Sequence, residues 1–351
     1  MGKVTLQTIA DRLGVSRMTV SNAFSRPDQL SAELRDKIMA AADELGYVGP
    51  DPAARALATG SAGTVGVLLT DTLSYAFEDE FAARFLAGIA EELAPSGLAL
   101  TLLTSSGPAG SVQARDVPMD GALIYSCDET SSALSWLKRR NLPLVLVDQA
   151  PSTEYSSVNI DDRRGAQLAA QHVVELGHRN IAVVTSNVAG PVGLIEDPTN
   201  LGGGHTIRQR MAGWLEVLAE AGIDPTVVQV REYGADAGGN VAELLFGLPD
   251  RPTAVLCYSD ATAYGVVRTA SRRGLSVPDD LSVVGFDDVA LASRMTPPLT
   301  TIRQDGAAKG RAAAAMLVDA IARDRTGSDT PLEQRVLPVE LVIRESTTAA
   351  R

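Results

Sequence analysis

Four side chains near the start of the chain have the types and spacing needed to read DNA. Arg17 and Met18, with Ser21 and Asn22 one turn further on, fall on one face of a helical stretch. Guanidinium, hydroxyl and amide groups can hydrogen-bond to base edges in the major groove, which admits a helix. The spacing therefore favours a recognition helix, and the simpler alternative is an ordinary amphipathic helix pair.

Two short helices must position these side chains. The first is predicted from apolar residues spaced i, i+3, i+4 and i+7, namely Leu6, Ile9, Ala10 and Leu13. Thr5 is its predicted N-cap, and Gly14 can end it because glycine adopts positive φ without strain. Ser16 is placed to cap the second helix, which Val20 and Phe24 would hold against the first. The stretch therefore predicts a helix-turn-helix.

A second set of polar side chains follows short apolar runs further along the chain. Those that follow predicted strands are Asp148, Ser259, Asp287 and Gln304. Arg210 opens the helix that ends in RMAGW, and Tyr75 and Phe77 offer flat apolar faces. Carboxylates and a guanidinium that face each other can hold a polyol by paired hydrogen bonds. The alternative for each residue is a turn or a helix cap.

These residues require strands that alternate with helices. Short apolar runs occur at residues 65–69, 99–103, 122–125, 144–147, 181–184, 227–232, 254–258 and 282–286. Helical patterns lie between most of them, for example in residues 81–93 and 163–176. Such alternation predicts parallel sheets that are covered on both faces, and the number of runs suits two lobes better than one sheet. Ligands of such sheets bind beyond the carboxyl ends of the strands.

The distribution of charge decides whether DNA is a plausible partner. The chain of 351 residues has a net charge of −12, but the basic and acidic residues balance within residues 1–60. Within residues 1–26, four basic side chains stand against Asp11. A locally positive head on an acidic body would keep phosphate attraction at the end that reads DNA.

Other classes of protein find little support. We expect no metal and no cofactor, because the three histidines lack metal-type spacing and no phosphate-binding or nucleophile motif is present. Cys127 and Cys257 lie in apolar runs and are predicted to be buried free thiols. There is no apolar run long enough to span a membrane and no secretory signal pattern. A cytoplasmic, nucleoid-associated protein that is not an enzyme is therefore expected.

The first part of the chain resembles the headpiece of the lactose/galactose repressor family of bacterial transcription regulators. The resemblance rests on TLQTIADRLGVSRMTVSNAF followed by LSAELRDKIMAAADELGY, in which Ser31 and Gly46 bound a third helix. In this family the headpiece binds a double-stranded, near-palindromic operator. The DNA-contacting residues that the resemblance implies are Thr5, Ser16, Arg17, Met18, Thr19, Ser21 and Asn22.

A short alanine-rich segment, residues 53–58, follows the headpiece between breaks at Pro52 and Gly60. A helix of this length is not stable alone in water, so we expect it to form only when it packs against something. The resemblance implies a hinge helix that folds on the operator, with Arg55 and Leu57 in contact with DNA and Leu57 wedged into the minor groove. The alternative is a plain linker between domains.

The remainder resembles a two-lobed periplasmic-binding-protein-like module in that family's own version. The matching segments are VDQ (147–149), VNIDDRRGAQLAAQHVVELGHRNIAVV (158–184), RMAGW (210–214), SDATAYG (259–265), VPDDLSVVGFDD (277–288) and PPLTTIRQD (297–305). The resemblance implies that the chain crosses between lobes near residues 159–162, 303–306 and 326–332. It also places Asp148, Arg210 and Asp287 where an effector is held. Ser259 stands where the family often has Asn, which suggests a different ligand geometry.

These observations define an α plus α/β protein with three parts. We predict a helix-turn-helix headpiece at 1–49, a linker with a hinge helix at 50–63, and a two-lobed effector and dimerisation module at 64–345. The N-lobe is assigned about 64–160 and 306–330, and the C-lobe about 161–305 and 331–345. The predicted function is a homodimeric transcriptional repressor whose operator affinity is controlled by a small polar effector, a sugar, polyol or nucleobase-like compound, bound between the two lobes. The alternative is a cytoplasmic solute-binding module whose helical head serves a non-DNA interaction.

Overall fold

The computed structural model divides the chain into two compact units, residues 1–63 and residues 64–351. It describes residues 4–49, 51, 55–57, 60–69, 73–104, 113–127, 131–187, 192–198, 203–231, 234–328 and 331–351, without the side chain of Tyr75. No helix in these ranges is both long and apolar enough to cross a membrane.

The first unit contains three helices around a small apolar core. They are α1 (Leu6–Leu13), α2 (Arg17–Ser25) and α3 (Ala32–Glu44), with a 3₁₀ turn (Pro27–Gln29) before the third. Gly14 ends α1 with φ 65°, a left-handed conformation that glycine adopts without strain. The fully buried side chains of this core are Ile9, Ala10, Val20, Ala23, Ile38, Ala41 and Ala42.

The N-lobe of the second unit is built on a sheet of six parallel strands. These are β1 (Thr64–Leu69), β2 (Ala99–Thr104), β3 (Gly121–Tyr125), β4 (Leu144–Val147), β5 (Ser156–Ile160) and β12 (Gln334–Leu337), in the order β12-β5-β4-β3-β1-β2. Its helices are α4 (Leu73–Glu78), α5 (Glu80–Leu93), α6 (Gln113–Asp116), α7 (Ser132–Arg139) and α13 (Gly306–Thr326). Separate apolar clusters cover the two faces of the sheet.

The C-lobe is built on a sheet of seven strands with antiparallel pairs at both edges. Its strands are β6 (Ile181–Ser186), β7 (Gly193–Leu194), β8 (Thr226–Val230), β9 (Ala254–Cys257), β10 (Ser282–Asp287), β11 (Thr300–Arg303) and β13 (Glu340–Val342), in the order β13-β11-β10-β9-β6-β8-β7. Its helices are α8 (Asp162–Glu175), α9 (His205–Glu220), α10 (Ala235–Phe246), α11 (Asp260–Arg272) and α12 (Ala290–Arg294). This sheet is also covered on both faces by apolar clusters.

The chain passes between the lobes three times, and the third passage differs from the predicted one. The first lies between β5 and α8, and the second between β11 and α13, as the crossings near 159–162 and 303–306 predicted. The third lies between β12 and β13, at residues 338–339, and not at 326–332. The reason is that β12 adds to the edge of the N-lobe sheet by pairing with β5, so residues 334–337 do not belong to the C-lobe.

The C-terminal segment after β13 is part of the C-lobe, beyond the predicted limit at 345. The backbone N–H of Val283 donates to Ser346 O at 2.8 Å, and Ser346 Oγ donates to Val283 O at 2.6 Å. The buried ring of His178 also lies 3.0 Å from Thr348 O through Nε2. Sequence periodicity missed this segment because its backbone pairs singly with other segments and forms no helix or strand of its own.

The observed architecture confirms the predicted fold class. Each of the eight apolar runs contains a strand, and the helical head precedes two α/β lobes in the sequence. Because parallel strands end at a common edge of each sheet, the residues that follow them are brought together by the topology.

Candidate functional site

The exposed face of α2 is the first candidate site. The side chain of Ser16 accepts a hydrogen bond from Thr19 N at 3.0 Å, and it lies 2.8 Å from Thr19 Oγ1. This cap satisfies a backbone N–H that the helix leaves unpaired and fixes where α2 begins. Thr5 caps α1 in the same way, through a reciprocal pair of hydrogen bonds with Thr8.

The predicted base-reading side chains are accessible on this face. Met18 is 69% exposed, although it is a large apolar residue, and Arg17 is exposed beside it. Ser21 and Asn22 are half-buried one turn later, and Asn22 Nδ2 donates weakly to Gln29 Oε1 at 3.4 Å. The opposite face of α2 packs into the core, so the helix has one face free for a groove.

The linker carries the second predicted DNA contact. Residues 55–57 form a helical turn, and the backbone N–H of Arg55 donates to Asp51 O at 2.9 Å. The Leu57 side chain is 90% exposed. The other residues of the predicted hinge helix, 53–54 and 58, lie outside the described residues. An exposed leucine of this kind is available to a partner surface.

The second candidate site lies where strands of both lobes end. Four residues at the ends of β3, β4 and β10 have positive φ although they are not glycine, namely Ser126 (48°), Asp148 (54°), Asp287 (119°) and Asp288 (55°). Backbone of this kind is uncommon for residues with a side chain, and it concentrates at binding and catalytic sites. Four residues with positive φ, three of them aspartates, therefore mark the edges at which the sheets end.

Arg210, on α9, is the central cation of the C-lobe part of the site. It is 4% exposed, its Nε donates to Asp162 Oδ1 at 2.8 Å, and one terminal nitrogen donates to Tyr258 O at 2.6 Å. Its other terminal nitrogen lies 3.9 Å from Asp287 Oδ1. The guanidinium carbon lies 3.5 Å from the centre of the Phe286 ring. These contacts hold Arg210 rigidly between two carboxylates and an aromatic face.

A buried lysine that the sequence analysis missed joins the other predicted residues. Lys309, on α13, is fully buried, and its ammonium donates to Asp148 Oδ1 at 2.7 Å and Oδ2 at 2.8 Å. It also donates to Gln304 Oε1 at 2.8 Å, and Gln304 Nε2 donates to Asp287 Oδ1 at 2.6 Å. The three lysine protons are thus satisfied. A continuous polar chain runs from the N-lobe through the second crossing into the C-lobe.

One signal in the sequence could have revealed Lys309. It lies on the same helical face as the small residues Gly306, Gly310 and Ala313, all of which are buried. A lone charge on a face of small and apolar residues indicates a buried ion pair, because a solvated lysine would fall on the opposite face. The partner was not readable, since Asp148 is far away in the sequence.

Ser259 and its neighbour Asp260 are occupied by structural contacts. Ser259 Oγ accepts a hydrogen bond from Thr262 N at 3.2 Å and so caps α11, which is the alternative that the sequence left open. Asp260 accepts from Thr301 Oγ1 at 2.5 Å and from Val289 N at 2.9 Å. A side chain at Gly285 would lie 2.3 Å from Asp260 Oδ1, so only glycine allows this approach.

Two buried carboxyl groups of this site, those of Asp287 and Asp260, have a raised pKa. Burial raises the pKa of Asp287 to about 7, although the positive charge of Arg210 opposes the shift. Burial, together with the nearby charge of Asp287, also raises the pKa of Asp260 well above its usual range. Crowded carboxylates in a dry site are a feature of functional clefts.

An open cavity of about 250 Å³ lies at the second crossing. It is lined by residues from both lobes, namely Phe81, Arg84, Asp287, Asp288, Val289, Arg303, Gln304, Asp305 and Gly306. Glu80, which precedes the lining residue Phe81, accepts a hydrogen bond from Ala290 N at 2.8 Å, a contact from the N-lobe to the C-lobe. The structure thus brings together Asp148, Arg210, Asp287 and Gln304 in one network. Phe77 is 68% exposed on α4, and the side chain of Tyr75 lies outside the described residues.

Comparison with known families separates the same two parts of the chain. A family model described as "Bacterial regulatory proteins, lacI family" matches residues 5–49. A model described as "Periplasmic binding protein-like domain" matches residues 170–347. The first match contains α1 to α3, and the second contains most of the C-lobe together with α13 and β12.

Similar proteins match over nearly the whole chain. The HTH-type transcriptional regulator IpsA of Corynebacterium glutamicum is 39% identical over 350 residues, which are 95% of this chain and 96% of that protein. The lac repressor dimer bound to operator and the anti-inducer ONPF has a TM-score of 0.76 at 27% identity, covering 99% of this chain and 100% of that one. The transcriptional regulator CelR in complex with cellobiose has a TM-score of 0.69 at 29% identity, and the match covers 98% of this chain and 100% of that one.

Proposed function

Because the chain belongs to the lacI family of bacterial regulatory proteins, we propose that it is a homodimeric repressor controlled by a small polar effector. The chain is a transcriptional regulator with a DNA-binding head and a periplasmic-binding-protein-like module. The observation that carries the proposal is the combination, in one chain, of an exposed recognition helix and a buried polar chain that joins two lobes.

DNA recognition is assigned to the head, residues 1–49. The face of α2 that enters the major groove carries the exposed Arg17 and Met18 and the half-buried Ser21 and Asn22. Thr5, Ser16 and Thr19 lie at the helix starts, where DNA phosphates bind. Two heads would read two half-sites of a near-palindromic operator, because a two-fold symmetric protein matches two-fold symmetric DNA. A lac repressor dimer that resembles this chain is bound to operator, which supports this assignment.

Effector binding is assigned to the edge at which the two lobes meet. Arg210 and Asp287 are the proposed hydrogen-bonding partners, with Gln304 and Asp148 held in place by Lys309. Ser259 contributes through its position at the start of α11, and Tyr75 and Phe77 belong to the neighbouring segment after β1. The likeness to a regulator in complex with cellobiose supports a polar ligand here.

The proposed mechanism couples the angle between the lobes to the linker, residues 50–63. The effector bonds to groups of both lobes, so it favours one lobe arrangement, and the linker segments of a dimer move together or apart. A hundredfold change in operator affinity requires the effector to favour one state by about 2.8 kcal/mol. The exposed Leu57 is then the residue that gains or loses its contact with the minor groove.

Gel-shift titration on DNA from beside its own gene tests the DNA-reading part. Arg17→Ala should weaken binding by roughly 10- to 100-fold, which corresponds to about 1–3 kcal/mol for a good base contact. Arg35→Ala is the matched control, because Arg35 is also exposed in the head but lies on α3. Equal binding by wild type and Arg17→Ala would contradict the assignment.

Calorimetry tests the coupling. An effector found by thermal-shift screening should bind with different affinity to the free protein and to the protein saturated with operator, because linkage is reciprocal. The same affinity in both forms would refute control by the effector. That result would leave the DNA-binding assignment intact.

A further inference from the structure

We propose that the open edge of β12, in the N-lobe, pairs with the same strand of a second copy of the chain in an antiparallel ladder centred on Gln334. This contact is additional to the one that forms the proposed repressor dimer, and it depends on neither DNA nor an effector. Its basis is a pattern of charge and apolarity in residues 332–336 that is complementary to itself.

The strand β12 has one side that is open to a partner. It pairs in parallel with β5 and ends the order of the six-stranded sheet, so no other described strand pairs with its second side. Residues 331–336 are all exposed, and the apolar side chains of Leu332 and Val336 are 50% and 61% exposed. An exposed strand edge is a template for pairing with another chain.

The backbone groups that face the open side belong to alternate residues. Glu333 O accepts from Ser157 N at 2.9 Å, and Glu333 N donates to Ser156 Oγ at 3.0 Å, so Glu333 directs both groups to the β5 side. Because successive residues of a strand alternate in this respect, the N–H and C=O of Gln334 and Val336 face the open side. Gln334 can therefore exchange two backbone hydrogen bonds with Gln334 of a second copy.

The charged side chains select this register. When two copies pair antiparallel about Gln334, Glu333 of each copy lies opposite Arg335 of the other, and Leu332 lies opposite Val336. Opposite charges and apolar pairs across strands stabilise a ladder, whereas like charges directly opposite destabilise it. Pairing about Arg335 would use the same backbone groups, but it would place the two Arg335 side chains opposite each other.

The ion pair within each copy does not block this edge. Arg335 donates to Glu333 Oε1 at 2.6 Å, and the two side chains are 42% and 51% exposed. An ion pair this exposed contributes little free energy, so it can be exchanged for the same pair between copies. Charges can protect a strand edge from pairing, but opposite charges two residues apart attract each other in this register.

The edge strand of the C-lobe sheet, β13, does not offer the same freedom. Its flanking charges, Glu340 and Arg344, would also match in an antiparallel pair. However, Arg344 donates to Asp288 Oδ1 at 2.6 Å and to Leu299 O at 2.8 Å, and its side chain is 18% exposed. Glu340 accepts from Arg303 at 3.2 Å. Because these charges are committed within the C-lobe, β12 is the edge that fits a second copy.

Sedimentation equilibrium of the full chain tests the association. A contact of five residues from each copy is smaller than a standard interface, so we expect self-association to become measurable between roughly 1 and 100 μM. Wild type should then form a species of twice the mass of the largest species of Arg335→Glu. Both Arg335→Glu and Glu333→Arg should weaken the association by roughly tenfold or more, because each places like charges opposite one another at two positions.

The double variant Glu333→Arg with Arg335→Glu restores opposite charges across the ladder and should recover the association. Arg323→Glu is the matched control, because it changes the net charge by the same amount as Arg335→Glu at an exposed position on α13. It should associate like wild type. A wild type with no larger species than Arg335→Glu, or a double variant that associates no better than the single ones, would overturn the proposal.

Cysteine cross-linking tests the register. Gln334→Cys places two thiols in a hydrogen-bonded pair whose Cα atoms lie about 5.5 Å apart, within the range of a disulfide. Val336→Cys is the matched control, because its two copies would lie about 13 Å apart along the ladder. Cys127 and Cys257 are buried and should not compete.

Under mild oxidation Gln334→Cys should form covalent pairs at concentrations at which wild type associates, and Val336→Cys should not. Equal cross-linking of the two variants, or none with Gln334→Cys, would contradict the register. Arg335→Glu should bind operator as wild type does in the gel shift, since the head is unaltered. Failure of this inference therefore leaves the proposed function standing.

Discussion

The head and the two-lobed module place their functional side chains in opposite ways. On α2 the side chains that face outwards are held by neighbours within one or two turns, as Ser16 is by Thr19. In the module, Lys309 reaches Asp148 across 161 positions of sequence, and both are buried. DNA reading therefore depends on a local helix with a free surface, whereas ligand binding depends on long-range contacts in a dry interior.

This difference has an energetic consequence. A polar group on the surface of α2 exchanges its hydrogen bonds with water, so replacing it changes binding more than stability. A group in the buried chain has no water to replace a lost partner, so replacing it changes stability as well. The following substitutions test this contrast, beginning with the largest expected effect.

Lys309→Met should lower the free energy of unfolding of the module by about 3 kcal/mol, because it leaves the Asp148 carboxylate buried without its cation. The double variant Lys309→Met with Asp148→Leu removes both charges and should recover most of the loss. Thermal unfolding measures the stability, and hydrogen exchange in residues 6–44 should remain unchanged. The contrast is contradicted if the single and double variants have the same stability in thermal unfolding. It is also contradicted if the amides of the head lose as much protection from hydrogen exchange as those of the module.

Asp287→Asn should change how stability depends on pH. Burial raises the folded pKa of Asp287 to about 7, above its ordinary value of 3.8, so the folded protein retains a proton that the unfolded chain releases. Stability from this group is present below the unfolded value and is lost as pH rises towards 7. The asparagine variant lacks this loss, so its stability relative to wild type should improve by about 2 kcal/mol between pH 5 and pH 7.5.

Thermal unfolding of both proteins across this pH range measures the effect. Asp319→Asn serves as the control, since Asp319 is exposed on the N-lobe helix α13. A relative stability that does not vary with pH would show that Asp287 titrates in its ordinary range.

Ser16→Ala should destabilise the start of α2 by about 1 kcal/mol through loss of the cap, and it should weaken operator binding without affecting the module. Ser25→Ala, at the exposed end of the same helix, should have a smaller effect, because its hydroxyl only adds a bond to Ser21 O. Hydrogen exchange of the amides in residues 17–25 measures the change. Equal amide exchange in Ser16→Ala and Ser25→Ala would contradict the proposal that the Ser16 cap stabilises the start of α2.

Features that depend on local contacts were predicted from the sequence, whereas features that depend on long-range contacts were not. The caps at Thr5 and Ser16 and the turn at Gly14 were predicted correctly, because each is a local rule about backbone hydrogen bonds and φ. The eight predicted strands were also found, since buried parallel strands are continuous apolar runs. The third lobe crossing was wrong, because pairing of β12 with β5 depends on a partner far away in the sequence.

The candidate cleft was predicted in part. Asp148, Asp287 and Gln304 lie at the carboxyl ends of strands and belong to one hydrogen-bond network, as the topology of parallel sheets predicts. The periodicity of the sequence could not predict the hydrogen-bond partners of these side chains. Asp148 is bound through both oxygens to Lys309, and Ser259 caps α11. The roles of these residues toward an effector remain predictions that the experiments above would test.

By itself the sequence determined the helix-turn-helix, the alternation of strands and helices, and the polar residues at the strand ends, because these follow from local spacing and composition. Only the tertiary structure decided which charges meet. Lys309 and Arg210 are each matched to carboxylates from distant segments, and Asp162 Oδ2 is left without a donor. The physical reason is that pairing in a dry interior depends on distances of a few ångströms between elements, which no periodic pattern along the chain encodes.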